Sequence, residues 1–109
     1  MDSKLLERLY KLGAVNQLAN GQDGVKVSLM WNSTLSQTSR SARRNLLQQK
    51  FESAANDILP DGAEVDLSSI SVSGQTVEAV FPIDNFDQIT DKLKQQSIRV
   101  DVLTNEQVL

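Results

Sequence analysis

Cysteine and histidine are both absent from this chain of 109 residues. Without cysteine there is no disulfide framework, no thiolate nucleophile and no Cys-ligated zinc. Without histidine the chain lacks the side chain that most often serves as general base near neutral pH and most often ligates transition metals, so the familiar triads and zinc centres are excluded together. Aromatics are scarce, at three Phe, one Tyr and one Trp. The core therefore has to be built from Leu, Val, Ile and Ala, and a platform of stacked rings is not expected. No G-x-G-x-x-G, Walker A, G-x-S-x-G or S-x-x-K motif occurs, which removes nucleotide binding by glycine loops and nucleophilic serine catalysis. No apolar run approaches the roughly 18 residues of a membrane span. The N-terminus is charged and amphipathic rather than basic and then apolar, so a signal peptide is not indicated and a cytoplasmic protein is expected.

What is present reads as one globular domain. The hydrophobic fraction of 39% and the charged fraction of 23% are those of a chain that folds, and the length suits a single core that needs no metal or disulfide. The net charge of −3 provides no long-range attraction for polyanions.

Residues 1–20 place Leu5, Leu6, Leu9, Leu12, Val15 and Leu18 at spacings of three and four, which predicts an amphipathic helix with Gly13 as the point where it bends or ends early. From Val25 the period changes to two: Val25, Val27, Leu29 and Trp31 share one side of a strand, Lys26, Ser28 and Met30 the other. Ser36, Thr38 and Ser39 are equivalent candidates to cap a second helix, whose stripe is Leu47, Phe51, Ala54, Ala55 and Ile58 and which Pro60 ends. Val65 and Leu67 have one parity and Ile70 and Val72 the other, which implies a bulge near Ser68-Ser69. Ser73-Gly74 turns the chain into a strand with Val77, Ala79 and Phe81 inward. Asp84, with Asp87 three residues on, is the expected cap of a third helix buried through Phe86, Ile89 and Leu93. Ile98, Val100 and Val102, alternating with Arg99 and Asp101, give the last strand before a fraying tail, 104–109.

The fold expected is therefore α+β: a ferredoxin-like βαββαβ sandwich over residues 25–103, with a four-stranded antiparallel sheet and two helices on one face, preceded by an extra N-terminal amphipathic helix. The end from Val65 to Leu103 resembles in topology the ferredoxin-like assembly domains of bacterial secretion machinery, a resemblance that transfers no functional residue.

Four candidate sites follow. Arg40, Arg43 and Arg44, with Lys50 further along the second helix, form a basic cluster at a helix start where an anion or a nucleic-acid backbone could bind. Sequence-specific RNA recognition is not expected, because the open sheet face carries Lys26, Ser28, Met30, Thr76, Glu78 and Val80 and no ring. Gly21 to Gly24 matches GXXG only formally, since it joins a helix to a strand. Asp57, Asp61, Glu64 and Asp66 gather oxygen ligands but fit no calcium-loop spacing, so no metal or other cofactor is expected. The fourth candidate is apolar: a sandwich with one covered face leaves the first helix to bury its leucines on the open face or against another chain, which makes Leu5, Leu9, Leu12, Met30 and Val80 the expected partner-binding residues. The function expected is a non-catalytic protein–protein interaction or assembly module, self-associating or bound to a protein partner. The alternative is a small anion- or nucleic-acid-binding domain using the arginine cluster.

Overall fold

The computed structural model describes residues 3–11, 13, 15–18, 21–36 and 38–103. Among these residues, three helices and five strands follow one another in the order α1 (Ser3–Lys11), β1 (Val15–Gln17), β2 (Asp23–Trp31), α2 (Arg40–Ile58), β3 (Glu64–Ser71), β4 (Thr76–Pro82), α3 (Phe86–Gln95) and β5 (Ile98–Val102), with a 3₁₀ turn at Ile83–Asn85 ahead of α3. The protein is thus α+β, with every strand pairing antiparallel.

The first correction concerns the N-terminal helix, expected to extend to residue 20. It ends at Lys11, and Gly13 then takes φ +70°, a left-handed conformation that glycine adopts without steric penalty. The Gly13 N–H donates to the Tyr10 carbonyl at 3.2 Å. Past that turn Val15 lies opposite Val25 in a ladder, so a segment with helical spacing is recruited as a short strand. A partner edge on β2 outweighs the helical periodicity of so short a stretch.

Across the sheet the strands lie β5–β2–β4–β3. β1 takes up the same side of β2 as β5: it pairs with Asp23 to Val25, and β5 with Val27 to Trp31. Strand alternation then sorts the residues. Val25, Val27 and Leu29 of β2, Val77, Ala79 and Phe81 of β4, and Ile98 of β5 are buried in one core with Leu47, Phe51 and Ala54 of α2 and Phe86, Ile89 and Leu93 of α3.

The helix ends follow local chemistry. Of the three candidate caps Ser39 is the one used, its Oγ accepting from the Ala42 N–H at 3.1 Å. Leu59 ends α2 in the extended conformation that suits a residue before proline. At α3 the expectation fails: Asp84 sits inside the 3₁₀ turn and Asn85 precedes the helix without a side-chain capping bond. The turn instead brings Ile83 and Phe86, three residues apart, into the core together.

The bulge expected at Ser68-Ser69 is present as a register shift in β3 between Asp66 and Ser71. Its backbone is satisfied by serine. Ser69 Oγ donates to the Asp66 carbonyl at 2.6 Å and accepts from the Glu78 N–H at 2.8 Å, while Asp66 Oδ1 accepts from both the N–H and the hydroxyl of Ser68. Between the Asp66–Glu78 and Ser71–Thr76 pairs β3 advances five residues and β4 two, and this odd difference reconciles the two parities, so that Val65 and Leu67 pack against the core on one side of the irregularity and Ile70 belongs to it on the other.

Candidate interaction surface

The helices all contribute to the core on one face of the sheet, and the registers lay out the opposite face in rows. Arg99, Met30, Thr76 and Ser71 form one row across β5, β2, β4 and β3; Asp101, Ser28, Glu78 and Asp66 form the next; Lys26, Val80 and Glu64 the third. Met30 and Val80, both expected among the partner-binding residues, are separated by the Ser28–Glu78 row. Lys26 Nζ lies 3.6 Å from Glu78 Oε1, and Arg99 Nε donates to Asp101 Oδ2 at 3.0 Å. Both pairs are largely solvated and contribute little to stability singly, but they fix where charge sits on the face.

One end of this face is closed by the chain itself. Leu18, 3% exposed, folds over Gly24. A Cβ on Gly24 would stand 2.6 Å from Val80 Cγ1 and 3.0 Å from Leu18 Cγ, so Leu18 and Val80 converge on the space that glycine leaves. Leu9 is 4% exposed and belongs to the core on the helix side of the sheet. That corrects its assignment as a partner-binding residue: α1 docks Leu9 on its own domain, because a nine-residue helix is stable only when its apolar stripe is packed. The side chain of Leu5 and the whole of Leu12 lie outside the described residues. Of the expected apolar set, Met30 remains half-exposed on the open face and Val80 half-exposed beside Leu18.

The basic cluster is divided by the helix that carries it. Arg40 is exposed at the first residue of α2. Arg44 Nη1 turns to β3 and donates to the Ile70 carbonyl at 3.4 Å. Lys50 lies about 15 Å along the helix from Arg40, where its Nζ donates to Gln96 Oε1 at 3.2 Å and stands 5.4 Å from the centre of the Trp31 ring. Arg43, half-buried, is also engaged in an interaction. The four side chains do not converge on one point. Among the described residues, no three acidic side chains come together as a metal site, so Asp57, Asp61, Glu64 and Asp66 do not form one. No helix among them is long and apolar enough to cross a membrane.

Two relationships were missed by reading the sequence. Tyr10 Oη donates to Asp23 Oδ2 at 2.6 Å, tying α1 to the start of β2, and this hydrogen bond, ahead of desolvation and the carboxylate charge, raises the phenol pKa above its ordinary value. The other is the outer side of β5. A groove of about 540 Å³ runs between α3 and that strand, lined by Thr90, Lys94, Ser97, Ile98 and Val100 with Asn32 at one end. The alternation of Arg99 and Asp101 is the only hint of this edge that sequence carries.

Compared with protein-family models, with curated proteins and with solved structures, the chain matches none.

Proposed function

We propose that the chain is a non-catalytic protein–protein interaction module of the ferredoxin-like kind, and that it associates with itself. The strand order β5–β2–β4–β3, with α2 and α3 crossing between strands on one face, supports the ferredoxin-like part of this assignment. The observation that carries the functional part is the uncovered sheet surface. Helical residues fill the core on one face, while the other presents Met30 and Thr76 among the ion pairs Lys26–Glu78 and Arg99–Asp101. A sheet face bearing alternating charge and scattered apolar side chains can select a partner by complementary pattern.

The alternative anion-binding reading draws less support. Arg44 and Lys50 are turned to separate protein partners, and the rows of the open face hold more carboxylates than cations. A nucleic-acid backbone would meet repulsion there.

Light scattering across a wide range of protein concentration tests the proposal. A mass of two or more chains that falls on dilution is the expected result. The mass of a single chain at every concentration overturns self-association.

A further inference from the structure

We infer that two copies of this chain join edge to edge through β5, antiparallel about a two-fold axis at Val100, so that the two sheets continue as one. This rests on the self-associating reading above and specifies its surface and register.

The backbone of β5 is half used. The Asn32 N–H donates to the Ser97 carbonyl at 2.8 Å and the Leu103 N–H to the Lys26 carbonyl at 2.8 Å, so residues 97 and 103, and with them Arg99 and Asp101, turn their peptide groups towards β2. Peptide groups alternate along an antiparallel strand. Ile98, Val100 and Val102 therefore direct theirs away from β2, to a side on which no strand pairs with them among the described residues. A second β5 placed about a two-fold at Val100 sets Ile98 against the partner's Val102 and Val100 against the partner's Val100, and closes about six hydrogen bonds across the junction.

The side chains of that register complement one another on both faces. On the open face Arg99 stands opposite the partner's Asp101 and Asp101 opposite the partner's Arg99. Each chain already holds these two side chains together, Nε to Oδ2 at 3.0 Å, so pairing assembles four alternating charges. On the helix side the partner's Val102 enters beside Ile98, where the groove of about 540 Å³ between α3 and β5 offers the apolar walls of Ile98 and Val100.

The opposite edge of the sheet does not share these properties. β3 carries Glu64 and Asp66 on one face and is broken by the Ser68-Ser69 bulge, so a second β3 would bring like charges together across an interrupted ladder. Charges on an edge strand ordinarily prevent pairing when they share one sign. On β5 they are of opposite sign on the same face, so a two-fold axis midway between them sets each against its opposite.

The test uses charge reversal at two exposed positions. In Arg99→Asp all four facing side chains are acidic, and in Asp101→Arg all four are basic. Each variant alone should dissociate more readily than the wild type, by about tenfold or more in dissociation constant. An equimolar mixture of the two should form a heterodimer, since the acidic edge of one meets the basic edge of the other. Sedimentation velocity reads all of these, with circular dichroism confirming that each variant stays folded. A wild-type dimer that Arg99→Asp leaves intact, or two folded monomeric variants that do not recombine, overturns the β5 junction and leaves the self-associating reading in place. A wild-type monomer at all concentrations overturns both.

Discussion

Gln75 and Trp31 hold each other by two hydrogen bonds. The Trp31 N–H donates to the Gln75 carbonyl at 3.0 Å, Gln75 Nε2 donates back to the Trp31 carbonyl at 2.7 Å, and the same amide reaches the Ser33 carbonyl at 2.8 Å. The turn between β3 and β4 is thereby tied to the end of β2 and the loop that leads into α2. Gln75 makes these bonds from φ +56°, a conformation that costs a non-glycine residue about 1 kcal/mol. Gln75→Ala keeps that strain and loses both side-chain bonds, and we expect a loss of about 2 kcal/mol in urea unfolding. Ser97 at φ +62° shares the strain with no such anchor, so Ser97→Gly should stabilise the domain by about 0.5–1 kcal/mol in the same measurement.

Gly24 is required by the space above it rather than by its backbone angle. Gly24→Ala places a methyl against Val80 Cγ1 and Leu18 Cγ and should destabilise by about 1–3 kcal/mol. Adding Val80→Ala removes the closer of the two contacts. The double variant should be less damaged than the sum of the single losses, a coupling that a double-mutant cycle reads directly. Additive losses would show that a side chain at position 24 does not meet Val80.

Leu9 distinguishes docking from assembly. Buried in the core, it should lose about 2–4 kcal/mol as Leu9→Ala, visible as a lowering of the denaturant midpoint that is the same at every protein concentration when each is compared with wild type. A change confined to the oligomeric state, with the unfolding free energy intact, would return Leu9 to an interface.

The single tyrosine gives a clean titration. Tyr10 in the folded domain should ionise above the ordinary phenol value of roughly 10, because the bond to Asp23 favours the protonated ring. A raised folded-state pKa means that the stabilisation is fully present below the unfolded pKa and is lost as pH rises through the folded one. Near-ultraviolet absorbance against pH should show the shift, and Asp23→Asn should reduce it. An unchanged midpoint in Asp23→Asn would remove the carboxylate as its cause.

The candidate residues divide by how far their roles depend on local chemistry. The arginines of α2 were visible as a cluster because they lie close in sequence, yet a helix rotates Arg44 towards β3 while Lys50 reaches Gln96 and Trp31. Met30 and Val80 were correctly assigned to the open face by their parity, but only the register between β2 and β4 separates them by a row.

Sequence alone determined β2 to β5, the two long helix stripes and the bulge at Ser68-Ser69, because alternation and helical spacing are local consequences of which side chains must leave water. It also determined the absence of thiol and imidazole chemistry. Tertiary structure decided the fate of residues 3–18, where apolar spacing is compatible with one long helix and only the free side of β2 makes Val15 a strand residue. It likewise decided that Leu9 is core and that the outer side of β5 pairs with no strand of the described residues. Spacing along the chain says which side chains seek burial; the surface that receives them, and the backbone edge left over, depend on contacts between residues far apart in sequence.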